Sequence, residues 1–215
     1  MINGNLYLLC ETNNKTLSYA LVTRLNKLHA DKIKQLKRLV NSSCNCLELL
    51  GYTVVLDSGE AHDRLKKDKL CSERDAEILH ALLAHYAMAK PAERTGKLVK
   101  FRDLPGGYAY EKAFIQRVIQ PVATIFGDKP EALIEAAKLL NGVALTYGDA
   151  SVEIPILEIP IAYILWRTNE FPASATTLFD ESASHYLPTE DLAVLAELTT
   201  IRLEQSWTIL RRRKL

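Results

Sequence analysis

Residues Trp166 to Leu210 read WRTNEFPASATTLFDESASHYLPTEDLAVLAELTTIRLEQSWTIL, and this stretch decides the fold. It divides into a strand end, a long polar loop and a helix. Wound at about 100° per residue, Leu192, Leu195, Leu198, Ile201, Leu203 and Trp207 point in almost every direction, which a surface helix with one apolar stripe would not do. The helix is therefore expected to be buried on most sides. Its widest polar gap is the ridge Glu190, Glu197, Glu204 and Arg211, spaced by sevens, so that successive members drift by only about 20° and share one water-facing edge. Thr189 is placed as the N-cap, Glu190 and Asp191 complement the positive end of the helix dipole, and Arg211 to Lys214 complement the negative end. Polarity and burial meet at the loop ahead of this helix, where a site is most reasonably sought.

Working outward, the period before that loop is that of strands. VALTY (Val143 to Tyr147), SVEIPIL (Ser151 to Leu157) and IAYILW (Ile161 to Trp166) are three candidate strands, and Pro155 and Pro160 put the second at an edge or end it early. Helices precede them. One opens at Pro130 with Leu133, Ala136, Ala137 and Leu140 as its buried stripe and ends at Asn141-Gly142 in a left-handed cap. Another starts near Glu111, is interrupted or kinked at Pro121 and stops at Gly127. A third opens at a Ser72 to Asp75 capping box and buries Ala76, Leu79, Leu83 and Tyr86. Cys44 to Leu50 and Tyr52 to Asp57 form a hairpin or bent strand pair joined at Gly51. Ser58 to Leu70 is too charged to bury and is read as a loop. Lys15 to Val40 reads as a helix with one basic side, and Leu6 to Cys10 as a short strand or part of a leader over residues 1–14. The whole is expected to be one α+β domain over residues 1–215, with an antiparallel or mixed sheet of about five strands, five to six helices and a buried C-terminal helix.

Composition bounds the function. A chain of 215 residues, nearly half apolar and a quarter charged, can bury a full core without staples. The net charge of +1 gives no global field to select a partner, although Lys15 to Val40 carries seven Lys or Arg against one Asp. No apolar window is long enough for a membrane span and no signal peptide is evident at the start. Four cysteines, Cys10, Cys44, Cys46 and Cys71, without secretion signals fit reduced thiols in a cytoplasmic protein.

Several groups of residues could carry chemistry. His185 lies just ahead of the last helix, five residues after Asp180 and six before Asp191. A neutral imidazole there could ligate a metal or the central ion of a tetrapyrrole, or act with Asp180 or Asp191 as an acid-base pair. The simpler reading is a loop histidine that hydrogen-bonds to backbone and holds the turn. Arg102, Gly106, Gly107 and Tyr108, with Pro105, form a second cluster, in which backbone N–H groups and a guanidinium could meet an anion; a structural turn with a local Arg-Asp pair is the simpler reading. Phe179 would line a pocket between the two clusters. Cys44 and Cys46 share one strand face and Cys71 could approach them, with His62 or His80 completing a zinc site, yet no paired C-x-x-C spacing supports this. The basic helix and the tail could bind nucleic acid or another anion, but no recognised motif accompanies the charge, so solvated faces are expected.

The run from Gly148 to Leu203, together with FRDLPGGYAYEKAF and GDKPEALIEAAKLLNG, resembles a family known only as a domain of unknown function and found mainly in anaerobic bacteria and archaea. The resemblance covers about Tyr19 to Leu203. Its sharpest pieces are Leu104 to Gly107, Leu165-Trp166, Phe171-Pro172, Phe179-Asp180 and His185 to Asp191. Some relatives are fused to, or lie beside, iron-sulfur and corrinoid proteins. The resemblance therefore implies such proteins as partners, and a cofactor-binding accessory role with a corrinoid or other tetrapyrrole. The four cysteines do not reproduce the iron-sulfur segment of such fusions.

Overall fold

The structure, a computed structural model, describes Leu36 and residues 46–56, 58–90 and 92–213. The basic helix expected over Lys15 to Val40 (save Leu36, helical and buried), the Leu6 to Cys10 segment and Cys44 lie outside the described residues. The α+β class holds, with the strands in two antiparallel sheets rather than one.

The first sheet is a four-stranded meander of β1 (Cys46–Leu49), β2 (Tyr52–Val55), β3 (Ala61–Asp63) and β4 (Lys69–Leu70). β1 and β2 are joined through Leu50 and Gly51, with φ of 52° and 74°. Two positive-φ residues in a row make the mirror-image turn whose twist suits a two-residue hairpin. The stretch from Ser58 to Leu70, expected to be a solvated loop, supplies β3 and β4 instead. The reason lies far away in sequence: Asp63 is fully buried because Arg202 neutralises it.

Helix α1 (Glu73–Tyr86) follows, with the Ser72 side chain accepting from the Asp75 amide as expected and Leu79, Leu82, Leu83 and Tyr86 buried. After β5 (Leu98–Lys100) and a 3-10 turn over Phe101–Asp103, the chain winds from Gly107 to Phe126 as α2 (Gly107–Phe114), a π segment (Ile115–Ile119) and α3 (Gln120–Phe126). Pro121 does not break this helix. The Gln120 amide reaches back five residues to the Ile115 carbonyl, and the wider turn takes up the missing donor and bulky ring of the proline. α4 (Pro130–Lys138) and the turn after it bury the expected stripe, and that turn closes with Asn141 in the left-handed conformation, φ 60°.

The second sheet has the order β5-β9-β8-β7-β6, built from β6 (Val143–Ala144), β7 (Ala150–Ile154), β8 (Ile161–Trp166) and β9 (Ser174–Asp180) as well as β5. β7 ends before Pro155, which could not donate to the ladder. β9 is the main departure from expectation, because SATTLFD falls inside the stretch read as loop and yet is an inner strand, hydrogen-bonded to β5 and β8. Thr177 and Phe179 alternate inward, so a period of two is present, though carried by too few large apolar residues to stand out.

After a single turn, α5 (Ala183–Tyr186), the 25-residue α6 (Thr189–Arg213) closes the fold. It is buried on most sides, as its sequence predicts, and Glu190, Glu204 and Arg211 are exposed. Thr189 is not its cap: the hydroxyl donates to the Pro105 carbonyl. Tyr163 of β8 donates to the Ala196 carbonyl of α6, while Arg202, six residues on, pairs with Asp63 of β3. The helix is thereby held to both sheets. Trp207 packs partly against the core, whereas Trp166 is 43% exposed at the end of β8.

Candidate functional site

The end of β9, the single turn of α5 and the start of α6 bring the expected residues to one corner, where they take roles different from those expected. Asp180 is buried and accepts from the Thr95 amide at 3.0 Å, the Thr95 hydroxyl at 3.1 Å, the Gly96 amide at 2.7 Å and the Ser182 amide at 3.0 Å. Burial pushes its carboxyl up, but the hydrogen bonds from Ser182, Thr95 and Gly96 outweigh that and hold it well below the usual carboxylate range. Such a group is ionised and fully engaged in fastening the segment ahead of β5. It is a poor proton acceptor.

His185 is exposed on α5, and its backbone amide bonds to the Ser182 carbonyl. Its ring forms no hydrogen bond or ion pair with Asp180 or Asp191, so the acid-base pairing expected from sequence is not made in this structure. Asp191 takes a different histidine. Its carboxylate, only 5% exposed, accepts from Nδ1 of His85 in the last turn of α1, whose side chain is 48% exposed. The two lie 106 residues apart, and the fold brings them together. A heavily biased loop pointed to His185; nothing local pointed to His85.

The residues that follow each histidine fix this corner. The rings of Tyr86 and Tyr186 stack at 5.6 Å and 12°, bringing the elements that carry His85 and His185 against each other. The Tyr186 hydroxyl donates to the Ala92 carbonyl and accepts from the Ala92 amide. Burial pushes the Tyr86 hydroxyl up to about 12, with the charge of Glu158 adding to the effect. Tyr86 is a post rather than an acid at neutral pH.

The glycine turn is the second expected wall, and the Thr189 hydroxyl ties it to the start of α6 at 2.7 Å from the Pro105 oxygen. The turn is nonetheless internally engaged. Gly107 donates to the Leu104 carbonyl, and a Cβ there would lie 1.9 Å from the Phe101 oxygen, so glycine is required by a close backbone approach. Gly106 has φ 79° and open space around it. Arg102 pairs with Glu111 at 3.1 Å and lies 5.4 Å over the ring of Tyr108, which is itself exposed. Phe179, expected to line a pocket, is fully buried against Phe101 and Phe114 and belongs to the core.

The thiols do not assemble among the described residues. Cys46 lies on β1 and Cys71 just after β4, both reduced, and burial, followed by the charges of Asp75 and Asp63, pushes the Cys71 thiol up. His80 bonds to the Gly59 carbonyl, and His62 to the Asp68 carbonyl. No group of three or more His, Cys, Asp or Glu side chains among the described residues is arranged to hold a metal ion. Among these residues no helix is long and apolar enough to cross a membrane. An open depression of about 500 Å³ is lined by Ala123, Thr124, Asp128 and the 168–173 loop, none of which belongs to the expected site.

Comparison with known proteins finds no curated protein and no solved structure that matches this chain. One family does match, a domain of unknown function (DUF3786), over residues 34–202. That span takes in both sheets, the glycine turn and the His85–Asp191 pair, and the chain belongs to this family.

Proposed function

We propose that the working group of this protein is the imidazole of His85, oriented by Asp191, and that it serves an accessory role by contacting a metal-bearing cofactor of the corrinoid or other tetrapyrrole class. The His85–Asp191 pair is the observation that carries this reading. A buried carboxylate in the first turn of a long helix lies at the end where the helix dipole favours negative charge, and it holds Nδ1 of a half-exposed ring. With Nδ1 held by the carboxylate, Nε2 is the ring nitrogen that would meet a ligand. Histidines that ligate metals are oriented in this way by a carboxylate behind them, which also raises their basicity.

The donor set favours a cofactor that brings its own equatorial ligands. A protein-bound metal ion asks for three or four converging side chains, which the described residues do not offer. A tetrapyrrole asks for one imidazole and an approachable face. The cofactor class follows the company expected from the sequence resemblance, in which corrinoid and iron-sulfur proteins are the partners. A second reading uses the same pair for proton transfer in a small-molecule enzyme, since an imidazole backed by a carboxylate is also a general base.

Titration of anaerobically purified protein with hydroxocobalamin and, separately, with haem tests the first reading. A visible-band shift is expected that saturates stoichiometrically, disappears in His85→Ala, weakens in Asp191→Asn and survives in His185→Ala. The absence of any shift, or a shift indifferent to His85→Ala, would overturn it.

A further inference from the structure

One end of the five-stranded sheet carries more exposed aromatic surface than the fold needs. Trp166 ends β8, Phe171 lies in the connection to β9, and Tyr147 lies in the turn before β7; they are 43%, 77% and 52% exposed. The Asp149 amide donates to the Leu165 carbonyl, and the Arg167 amide donates to the Asp149 carboxylate. These bonds pin the Tyr147 turn to the end of β8, so the three rings share one rim. Single exposed apolar residues are ordinary, whereas a group beside a depression marks a place of contact.

That rim is acidic. Asp128 and Glu170 line the depression beside Phe171, and neither has an ion-pair partner among the described residues. Arg167 is already shared between Glu131 and Asp149. Carboxylates beside accessible rings suit a guanidinium, which stacks on an aromatic face and takes a carboxylate in a two-pronged bond.

The chain itself presents that chemistry. Ser206 is the last buried residue of α6; beyond it Ile209 and Leu210 are half-buried, and Arg211, Arg212 and Arg213 are exposed with no ion pair among the described residues. This basic, partly apolar helix end does not pair with the acidic rim of its own molecule.

We propose that the protein self-associates, the aromatic and acidic end of its second sheet receiving the arginine-rich end of α6 from a second copy. Reciprocal exchange closes the contact into a two-fold dimer, so no open filament results. The interaction is independent of the His85–Asp191 reading.

Sedimentation equilibrium of the full chain tests this at about 50 mM and about 500 mM salt, conditions that differ severalfold in the screening of exposed charge. A dimer is expected at low salt and a shift towards monomer at high salt. Phe171→Ala, and separately the triple replacement of Arg211, Arg212 and Arg213 by Ala, should each weaken dimerisation by roughly tenfold or more. A mixture of the two variants should associate more tightly than either alone, because each keeps the surface the other has lost. Wild-type protein that stays monomeric at about 100 µM and low salt, well above the concentration at which a weak specific contact would register, overturns the proposal. So does a dimer that neither variant disturbs. Monomeric wild type that binds labelled polyarginine through Phe171 would assign the surface to a different basic partner and overturn self-association.

Discussion

Replacing Asp63 by Ala should do more damage than any other single change in the first sheet. Arg202 is fully buried and all its donor groups are engaged: two bonds to the Asp63 carboxylate at 2.7 and 2.9 Å, one to the Leu50 carbonyl at 2.8 Å, one to Gln205 at 2.8 Å and a longer one to the Gly51 carbonyl at 3.3 Å. The guanidinium also lies 3.9 Å over the ring of Tyr52. Asp63→Ala leaves that cation buried with no counter-charge, a loss of about 3–5 kcal/mol. Against a total stability of about 5–15 kcal/mol this is a large share. The double variant Asp63→Leu, Arg202→Met removes both charges and should recover most of the loss, because the ion pair repays its own desolvation only in part. Burial pushes the Asp63 carboxyl up, but Arg202 and then Lys66 outweigh it and hold the group below its usual range. A depressed folded pKa means that the contribution is complete above the unfolded carboxyl value of about 3.9 and is lost as the pH falls through the folded value. Urea denaturation followed by far-ultraviolet circular dichroism, at neutral pH and in acid, reads all three quantities. A loss below about 1 kcal/mol in Asp63→Ala, or a double variant less stable than the single, would refute the reasoning.

Asp180→Asn weakens the acceptor of three backbone amides and should cost about 1.5–3 kcal/mol by the same assay, with the penalty fading in acid, because the wild-type carboxylate is itself protonated there. Gly107→Ala should cost about 3 kcal/mol or more, since its new Cβ meets the Phe101 oxygen. Its neighbour Gly106→Ala meets nothing and should cost only the roughly 1–2 kcal/mol of a left-handed backbone; equal losses at the two sites would contradict the close-approach argument. Phe179→Ala should lower stability by about 3–5 kcal/mol, as a core ring does, and a nearly neutral effect would return Phe179 to the list of surface contacts.

Features with a local cause were legible in the sequence. The helix apolar on every side, the Ser72 cap, the Asn141 left-handed end and the Gly51 hairpin each follow from a few neighbouring residues, and each is present. Features whose cause lies on another element were not. Asp63 looks solvated until Arg202 is placed beside it, and Arg202 looks like a polar exception in an apolar helix until Asp63 is. β9 is polar for an inner strand because its ladder to β5 and β8, rather than its side chains, satisfies it. The pairing of Asp191 is of the same kind. The loop pointed to His185, whereas the histidine that reaches Asp191 comes from α1, and no spacing within the loop could have indicated it.

The π segment has a consequence for how the second helical region meets the core. Phe114, Val118, Val122 and Phe126 are all buried although they recur at strict intervals of four. In a regular α-helix each such interval overshoots a full turn by about 40°, so three of them would swing the last ring about 120° away from the first. The underwound residues from Ile115 to Ile119 take back part of that drift and keep the four side chains in one file. The surplus residue is thus a phase correction written into the chain: were the same residues wound as an uninterrupted α-helix, Val122 would stand about 80° and Phe126 about 120° from Phe114, turned away from the interior they now fill.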